Sequence, residues 1–345
     1  MKNTDELAEA QQLEPFDIGD FRMEDAAGIV DLFRSVYGEH YPIRLFYDPA
    51  AITTANREGT YYSICARTPG GKLVGVGHLH LSAQCKSLYE GGAALIRHEY
   101  RNSGINKQML DFTIHEFIPR YPHIEAVFGE AVCNHPYMQK SLLVSDFVET
   151  AIEVALMPAE AYTQEKSATG RVATLNMSRC FGQKQHRIFL PSVYEEELRK
   201  IYKRIDDSRE IMLSSGKTTP GTVTLADLTI FDFARVARIS VTHIGEEFHN
   251  RLSVLEVEAL AKNTLVFQVW LNMTDPSIGA AVEMLRDQGY FFGGPMPRWF
   301  DGDGLLMQKL LCSPEFEGIV LFSDVAKELL AFIKQDWQRA TRRDR

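Results

Sequence analysis

One stretch of this chain constrains its fold more than any other: a strand that runs into a helix through a short, polar, glycine-containing loop. In LIRHEYRNSGINKQML, Leu95 to Leu110, the run Ala93, Ala94, Leu95, Ile96 is strand-like. From Ile105 onward the apolar residues Ile105, Met109, Phe112 and Phe117 fall near one face of a helix. Arg101-Asn102-Ser103-Gly104 joins the two. A helix that starts this way leaves several backbone N–H groups without intrahelical partners. Those donors and the positive end of the helix dipole suit a phosphate or pyrophosphate.

At 345 residues the chain has room for two domains, each able to bury its own core. Apolar residues make up 45% and charged residues 24%, the balance of a globular protein in water. The net charge of −9 argues against nucleic acid or anionic membrane as partner, since both reward a basic surface. The short basic tail, Arg339, Arg342, Arg343 and Arg345, suits the C-terminal end of a helix dipole. The opening MKNTDELAEAQQLEP is acidic and lacks an apolar core, which does not read as a signal peptide. No apolar run approaches the roughly 18 residues of a membrane span. Cys65, Cys85, Cys133, Cys180 and Cys312 are scattered and odd in number, as expected of reduced thiols. A cytoplasmic location is the expectation.

Hydrophobic patterning predicts a strand over Phe16–Phe21, a helix over Glu24–Tyr37, and a hairpin of Thr60–Arg67 with Leu73–Leu81 turning at Pro69-Gly70-Gly71-Lys72. Leu88–Ile96 is the strand that delivers the Gly104 loop, and Asn106–Ile118 the helix behind it. Ile124–Val132 is a further strand, and Pro136 opens a helix at its favoured first position. Phe147–Met157 and Arg171–Phe181 are two long strands joined by the polar Pro158–Gly170 loop.

This order, β-α-(α)-β-β-β-α-β-α-β-β, with an anion loop between the fourth strand and the next helix, resembles the plan of the GNAT superfamily of acyl-CoA N-acyltransferases. Arg101-Asn102-Ser103-Gly104-Ile105-Asn106 resembles the family's Gln/Arg-x-x-Gly-x-Gly/Ala, with Arg101 and Gly104 matching and Asn106 standing where Gly or Ala is usual. The resemblance covers residues 14–182. It implies an α/β fold with a mixed sheet, acetyl-CoA or another acyl-CoA as co-substrate, no metal, and a pyrophosphate held by Arg101, Asn102, Ser103, Gly104, Ile105 and Asn106. It also implies that the fourth and fifth strands splay apart around the thioester. A backbone N–H near Leu95 or Ile96 would then bond the thioester oxygen as negative charge develops there.

The second half repeats the theme. Leu265-Val266-Phe267 and Pro276, then a helix and Gly289-Tyr290, echo Ala126-Val127-Phe128 and Pro136, then a helix and Asp146-Phe147. The later helix reads about one turn longer. Thr222–Ile244 is strand-rich, Glu247–Ala261 reads as a helix, and Tyr290–Arg298 with Gly304–Leu311 as a closing hairpin. Where this copy needs its own anion loop stands Val241-Thr242-His243-Ile244-Gly245-Glu246-Glu247, whose carboxylates would repel a pyrophosphate. The expectation is therefore tandem GNAT-like folds: a flexible N-terminus over 1–13, a transferase domain over 14–182, and a degenerate copy with a C-terminal helix over 183–345. The bland alternative for the second half is an unrelated α+β domain.

An amine acceptor arrives as an ammonium and must lose a proton before it attacks a thioester. Glu130 on the fifth strand is the first candidate base, since apolar surroundings would raise its pKa toward neutrality. A rim carboxylate paired with Arg or Lys is its bland alternative. Glu90, ahead of the bulk-free Gly91-Gly92 on the fourth strand, is the second candidate. Many GNAT enzymes carry a Tyr that protonates the leaving thiolate; by resemblance Leu142 stands at that position, which leaves Tyr137 as the substitute.

His78 and His80 share a strand face without a third metal ligand pattern nearby, and read as hydrogen-bonded or solvent-facing histidines. Cys133 near His135 reads as a loop neighbour rather than a nucleophile pair. The aromatic group Tyr37, Tyr41, Phe46 and Tyr47 lines either an acceptor pocket or the core. Trp299-Phe300-Asp301-Gly302-Asp303-Gly304 lacks the ligand spacing of a Ca²⁺ loop and reads as an Asp-Gly hairpin turn.

Three functions stay open: acetyl transfer to a small-molecule or protein amine, a non-catalytic acyl-CoA-binding or interaction module, and transfer of longer acyl groups or from an acyl carrier protein. For the last, Arg97, His98, Arg101 and Lys107 offer a small basic docking face. A homodimer is compatible with all three.

Overall fold

The computed structural model describes residues 13–159 and 170–342. Most of the expected flexible N-terminus, the body of the Pro158–Gly170 loop, Arg343 and Arg345 lie outside the described residues. The chain divides into two compact units, Met1–His80 with Gly92–Tyr121, and Leu81–Gly91 with Pro122–Arg345. Strand β4 (Leu88–Ile96) passes from one to the other at Gly91-Gly92.

In the first unit β1 (Asp17–Asp20) pairs antiparallel with β2 (Tyr61–Arg67), β2 pairs antiparallel with β3 (Leu73–His80), and β4 follows β3 in the sheet order. Helix α1 (Asp25–Tyr37) buries Ile29, Val30, Leu32 and Phe33, the stripe expected of an amphipathic helix. Helix α2 (Pro49–Glu58) starts cleanly: the Asp48 carboxylate accepts from Ala50 N at 2.8 Å and Ala51 N at 3.3 Å, and Pro49 fits the first turn. Phe33 stacks on Phe46 with ring centroids 4.1 Å apart, inside an apolar core that also takes Cys65, Val76 and Leu95. The Arg67 guanidinium is buried against Asp25, which also accepts from Arg22 N at 2.6 Å, so the buried charge is paired and hydrogen-bonded.

Helix α3 (Ile105–Phe112) begins one residue before the expected Asn106 and then widens into a π turn over Thr113–Phe117. The Thr113 hydroxyl donates to Met109 O at 2.7 Å, a back-bond that competes with the regular ladder at that point.

In the second unit β4 pairs parallel with β5 (Ala126–Val132), β5 antiparallel with β7 (Arg171–Cys180), and β7 antiparallel with β6 (Val148–Pro158). Helix α4 (Tyr137–Val144) lies between β5 and β6 in sequence; Pro136 precedes its first turn rather than opening it, a one-residue correction. The same plan then recurs. β11 (Val236–His243) pairs antiparallel with β10 (Leu225–Phe231) and parallel with β12 (Val266–Asn272). β12 pairs antiparallel with β14 (Gly304–Leu310), and β14 with β13 (Phe291–Met296). The order β4-β5-β7-β6 is thus repeated as β11-β12-β14-β13, parallel first and antiparallel twice after.

The tandem mixed α/β architecture expected from the sequence is present. Helix α6 (Phe248–Leu260) follows β11, and α7 (Ile278–Asp287) exceeds α4 by only two residues, less than the full turn expected. The long helix α8 (Asp324–Arg342) closes the chain, and among the described residues no helix is long and apolar enough to cross a membrane.

Ala126 and Phe128 of the first copy share one apolar core with Trp270, Met296, Trp299 and Leu306 of the second. Two features escaped the patterning. A parallel pair, β8 (His186–Leu190) with β9 (Arg209–Leu213), brackets helix α5 (Glu195–Tyr202). The segment between β13 and β14 is a buried loop rather than a tight Asp-Gly turn. In it Asp303 accepts from Arg298 N at 3.0 Å and Arg209 Nε at 2.6 Å, and Arg298 Nε donates to Asp207 at 2.8 Å. These charges are withdrawn from water, and each has an opposite partner.

Candidate active site

The loop expected to hold an anion, Arg101 to Asn106, belongs to the first unit. Gly104 takes φ 81° and Asn102 φ 64°, left-handed conformations that turn the chain from Arg101 into helix α3. Ser103 N donates to Tyr100 O at 3.3 Å and its hydroxyl to the same carbonyl at 2.7 Å, fixing the turn. The first backbone bond of the helix runs from Gln108 N to Gly104 O at 3.1 Å. The amides of Gly104, Ile105, Asn106 and Lys107 therefore precede the ladder and have no acceptor inside it. A Cβ built at Gly104 meets nothing closer than Gln108 Nε2 at 3.9 Å, an ordinary contact with a flexible side chain.

Strand β4 prepares that loop. Its ladder with β5 covers Leu88–Glu90 against Ala126–Phe128 and ends there. Immediately after, Gly91 and Gly92 carry no side-chain bulk, and Ala93 adopts φ 47°, a left-handed kink in the middle of a strand. Such a conformation is costly for a residue with a Cβ and turns backbone N–H and C=O groups out of the ladder. Leu95 packs into the apolar core of the first unit, and Arg97 anchors the strand end by donating to Leu73 O at 2.7 Å.

The candidate bases lie in the second unit. Glu130, on β5 opposite Asn176, is about a fifth exposed. Its carboxyl is held well above the ordinary carboxylate value by burial, by the charges of Glu153 and Glu90 and by a hydrogen bond with Glu153, against the opposing pull of Arg238. Glu153 on β6 is almost fully buried and accepts from Asn176 Nδ2 at 2.7 Å and from Gln268 Nε2. One nitrogen of Arg238 stands 3.5 Å from Glu153 and 3.9 Å from Glu130. That guanidinium is itself placed by Gln268, whose Oε1 accepts from Arg238 Nε at 3.0 Å, and by the Trp299 ring 5.3 Å away.

Glu90 and Glu130 thus belong to one electrostatic cluster, as two of the residues expected from the sequence. Glu153, Arg238, Gln268 and Asn176 were not anticipated, although a carboxylate inside the apolar run Ala151–Met157 and an Arg inside Val236–Val241 are both signals of buried pairing.

Tyr137 is exposed, with its ring 5.0 Å from that of His135. Leu142, at the position of the expected family Tyr, is buried, and its Cδ1 lies 3.3 Å from where a Gly129 Cβ would sit. Of the aromatic group, Phe46 is core, while Tyr37 and Tyr41 are partly buried against the same cluster. His78 is buried beside Phe33 and Phe46 with Nδ1 3.0 Å from Ser63 Oγ, and burial together with the nearby His80 lowers its pKa to about 3. Burial pushes the Cys133 thiol up to about 12, the opposite of what a nucleophile needs.

The equivalent loop of the second copy is closed. Ile244 N donates to Asp275 at 2.8 Å, Gly245 N to Thr224 Oγ1 at 3.0 Å, and Glu246 N to Thr222 O at 3.1 Å. The Glu247 carboxylate accepts from Thr224 N at 2.6 Å. A Cβ at Gly245 would meet Thr222 O at 2.4 Å, because residues 222–224 run across the loop. The β11–β12 ladder stays zipped from Val236 to Val241 where the β4–β5 ladder has parted after three pairs.

Neither the known family models nor the curated proteins contain a match to this chain. Solved structures do. The chain is similar to the ribosomal-protein-S5-alanine acetyltransferase of Vibrio fischeri, at 12% identity over 49% of this chain and 94% of that one, TM-score 0.38. The ribosomal-protein-S18-alanine N-acetyltransferase of Escherichia coli gives 12% identity over 50% and 97%, TM-score 0.38. An N-acetyltransferase of Staphylococcus aureus Mu50 gives 11% over 49% and 100%, TM-score 0.39.

Proposed function

We propose that this chain is an acyl-CoA-dependent N-acyltransferase, most simply an acetyltransferase, whose residues 14–182 carry the site and whose residues 183–345 are a degenerate copy without coenzyme. The observation that carries this reading is the pairing of a β4 that leaves its ladder with β5 and kinks at Ala93 with a loop at Gly104 whose amides precede the helical ladder. A pyrophosphate fits the loop amides of Gly104, Ile105 and Asn106, with Arg101 adding charge.

In this reading Glu130, as carboxylate, takes a proton from the acceptor's ammonium. The freed lone pair attacks the thioester carbon, and a β4 backbone N–H near Leu95 or Ile96 stabilises the oxygen that gains charge. The C–S bond then breaks and coenzyme A leaves as thiolate, which takes its proton from water or from Tyr137. The surplus proton on nitrogen is lost to solvent, leaving an amide. The raised pKa of Glu130 means that the base form grows as pH climbs through that value.

Purified chain incubated with acetyl-CoA and a panel of primary amines should release free thiol in proportion to amide formed. A second reading, a non-catalytic acyl-CoA-binding module, is favoured by the buried Leu142. It predicts coenzyme binding with no thiol release from any amine.

A further inference from the structure

The least expected arrangement in the molecule is a polar layer, part buried and part half-buried, inside the second unit. Glu90, Glu130 and Glu153, from β4, β5 and β6, share it with Arg238 from β11, while Asn176 on β7 and Gln268 on β12 supply neutral amides. Glu130 and Glu153 share one guanidinium, and Glu90 adds a further negative charge near Glu130, an excess that disfavours the charged form of Glu130. Glu153 is the member best furnished with donors, Asn176 Nδ2 at 2.7 Å and Gln268 Nε2.

We propose that Arg238, contributed by the second copy, and Glu153 are opposed positioning residues for Glu130, so that the degenerate copy sets when this carboxylate is free to take the acceptor's proton. The geometry gives each its sign. Arg238 stands 3.9 Å from Glu130 and favours its charged form; Glu153, hydrogen-bonded to Glu130, disfavours it. Gln268 ties the two together by donating to Glu153 and accepting from Arg238. Glu90 acts in the same direction as Glu153. The cluster gives the second copy a role that needs no coenzyme.

The role of Glu130 as base rests on the acyltransferase reading; the electrostatic coupling does not. The test therefore reads both. In the full chain, the acid limb of the kcat profile should move up by about one pH unit in Arg238→Met and down by about one unit in Glu153→Gln, with Arg238→Lys close to wild type. Titration of ¹³C-labelled glutamate side chains by NMR, with Glu130→Gln to assign the signal, should show the Glu130 carboxyl moving in the same two directions. Opposite shifts in the NMR titration alongside a flat pH profile would remove Glu130 as the base and leave the coupling standing. If Glu130 titrates unchanged in both variants while folding is intact, Arg238 and Glu153 are structural only and the proposal is overturned. A chain that releases thiol from no amine overturns the acyltransferase reading, and the NMR titration still decides the coupling.

Discussion

Glu130 and Gly104 carry the functional argument at the level of single residues, and they carry it differently. Glu130→Gln keeps the shape and the neutral hydrogen bonds of a protonated carboxyl but cannot accept a proton. Turnover at neutral pH should fall by roughly two to four powers of ten with acetyl-CoA affinity nearly unchanged. The deficit should shrink as pH nears the amine's own pKa, about 10 for a lysine-like group, because free amine then arrives without help. Turnover equal to wild type across the pH range would remove Glu130 from the chemistry. Gly104 acts through its backbone: φ 81° costs a residue with a Cβ about 1–2 kcal/mol, more when β-branched. Gly104→Val should therefore weaken acetyl-CoA binding at least tenfold, about 1.4 kcal/mol, and Arg101→Ala less. Calorimetry on the folded variants measures both.

Among the elements, the β13–β14 loop and the β8–α5–β9 insertion are held by buried charge. Arg298 is 1% exposed and bonds Asp207, Glu125 and Gly182 O. Arg298→Ala should destabilise the chain by roughly 3–5 kcal/mol in chemical denaturation, since Asp207 stays buried and loses a partner. His186 lies 3.3 Å from Asp303. Burial draws its pKa down, but the Asp303 carboxylate outweighs this and the net shift is upward from 6.5. A group raised on folding adds stability that is complete below its unfolded value and disappears as pH rises through the folded one. Stability should therefore drop from pH 6.5 upward in wild type, and His186→Gln should flatten that slope.

These elements also show what a sequence can disclose. The Gly104 loop, β4 and the helix behind it were legible because strand, loop and helix signals are local and adjacent. The repeat was legible because Pro136 and Pro276 mark equivalent helix starts. The β8–β9 pair was not, since parallel strands joined through a helix leave no hairpin signal. Glu153 and Arg238 stayed hidden for a related reason: they are 85 positions apart and meet only when two sheets pack.

For the whole molecule, one plan is used twice, and the proposed function gives only the first use a binding site. In the first copy the β4–β5 ladder stops after Glu90 and the amides of Gly104 to Lys107 precede the helical ladder; in the second the β11–β12 ladder runs on and every loop amide from Ile244 to Glu246 is spent internally. The difference arises from residues 222–224, which cross the loop, and from the carboxylates Glu246 and Glu247 beside it. The shared core of Phe128, Trp270, Trp299 and Leu306 couples the stability of the first copy's β5 to the second copy, so a truncated N-terminal half would lose packing for the strand that bears Glu130. The measurement that bears most directly on this account is a calorimetric titration of acetyl-CoA into the full chain and into Gly104→Val. One site per chain, lost or weakened at least tenfold in the folded variant, is the predicted result. No binding at all, two sites of comparable affinity, or an affinity untouched by Gly104→Val would contradict it.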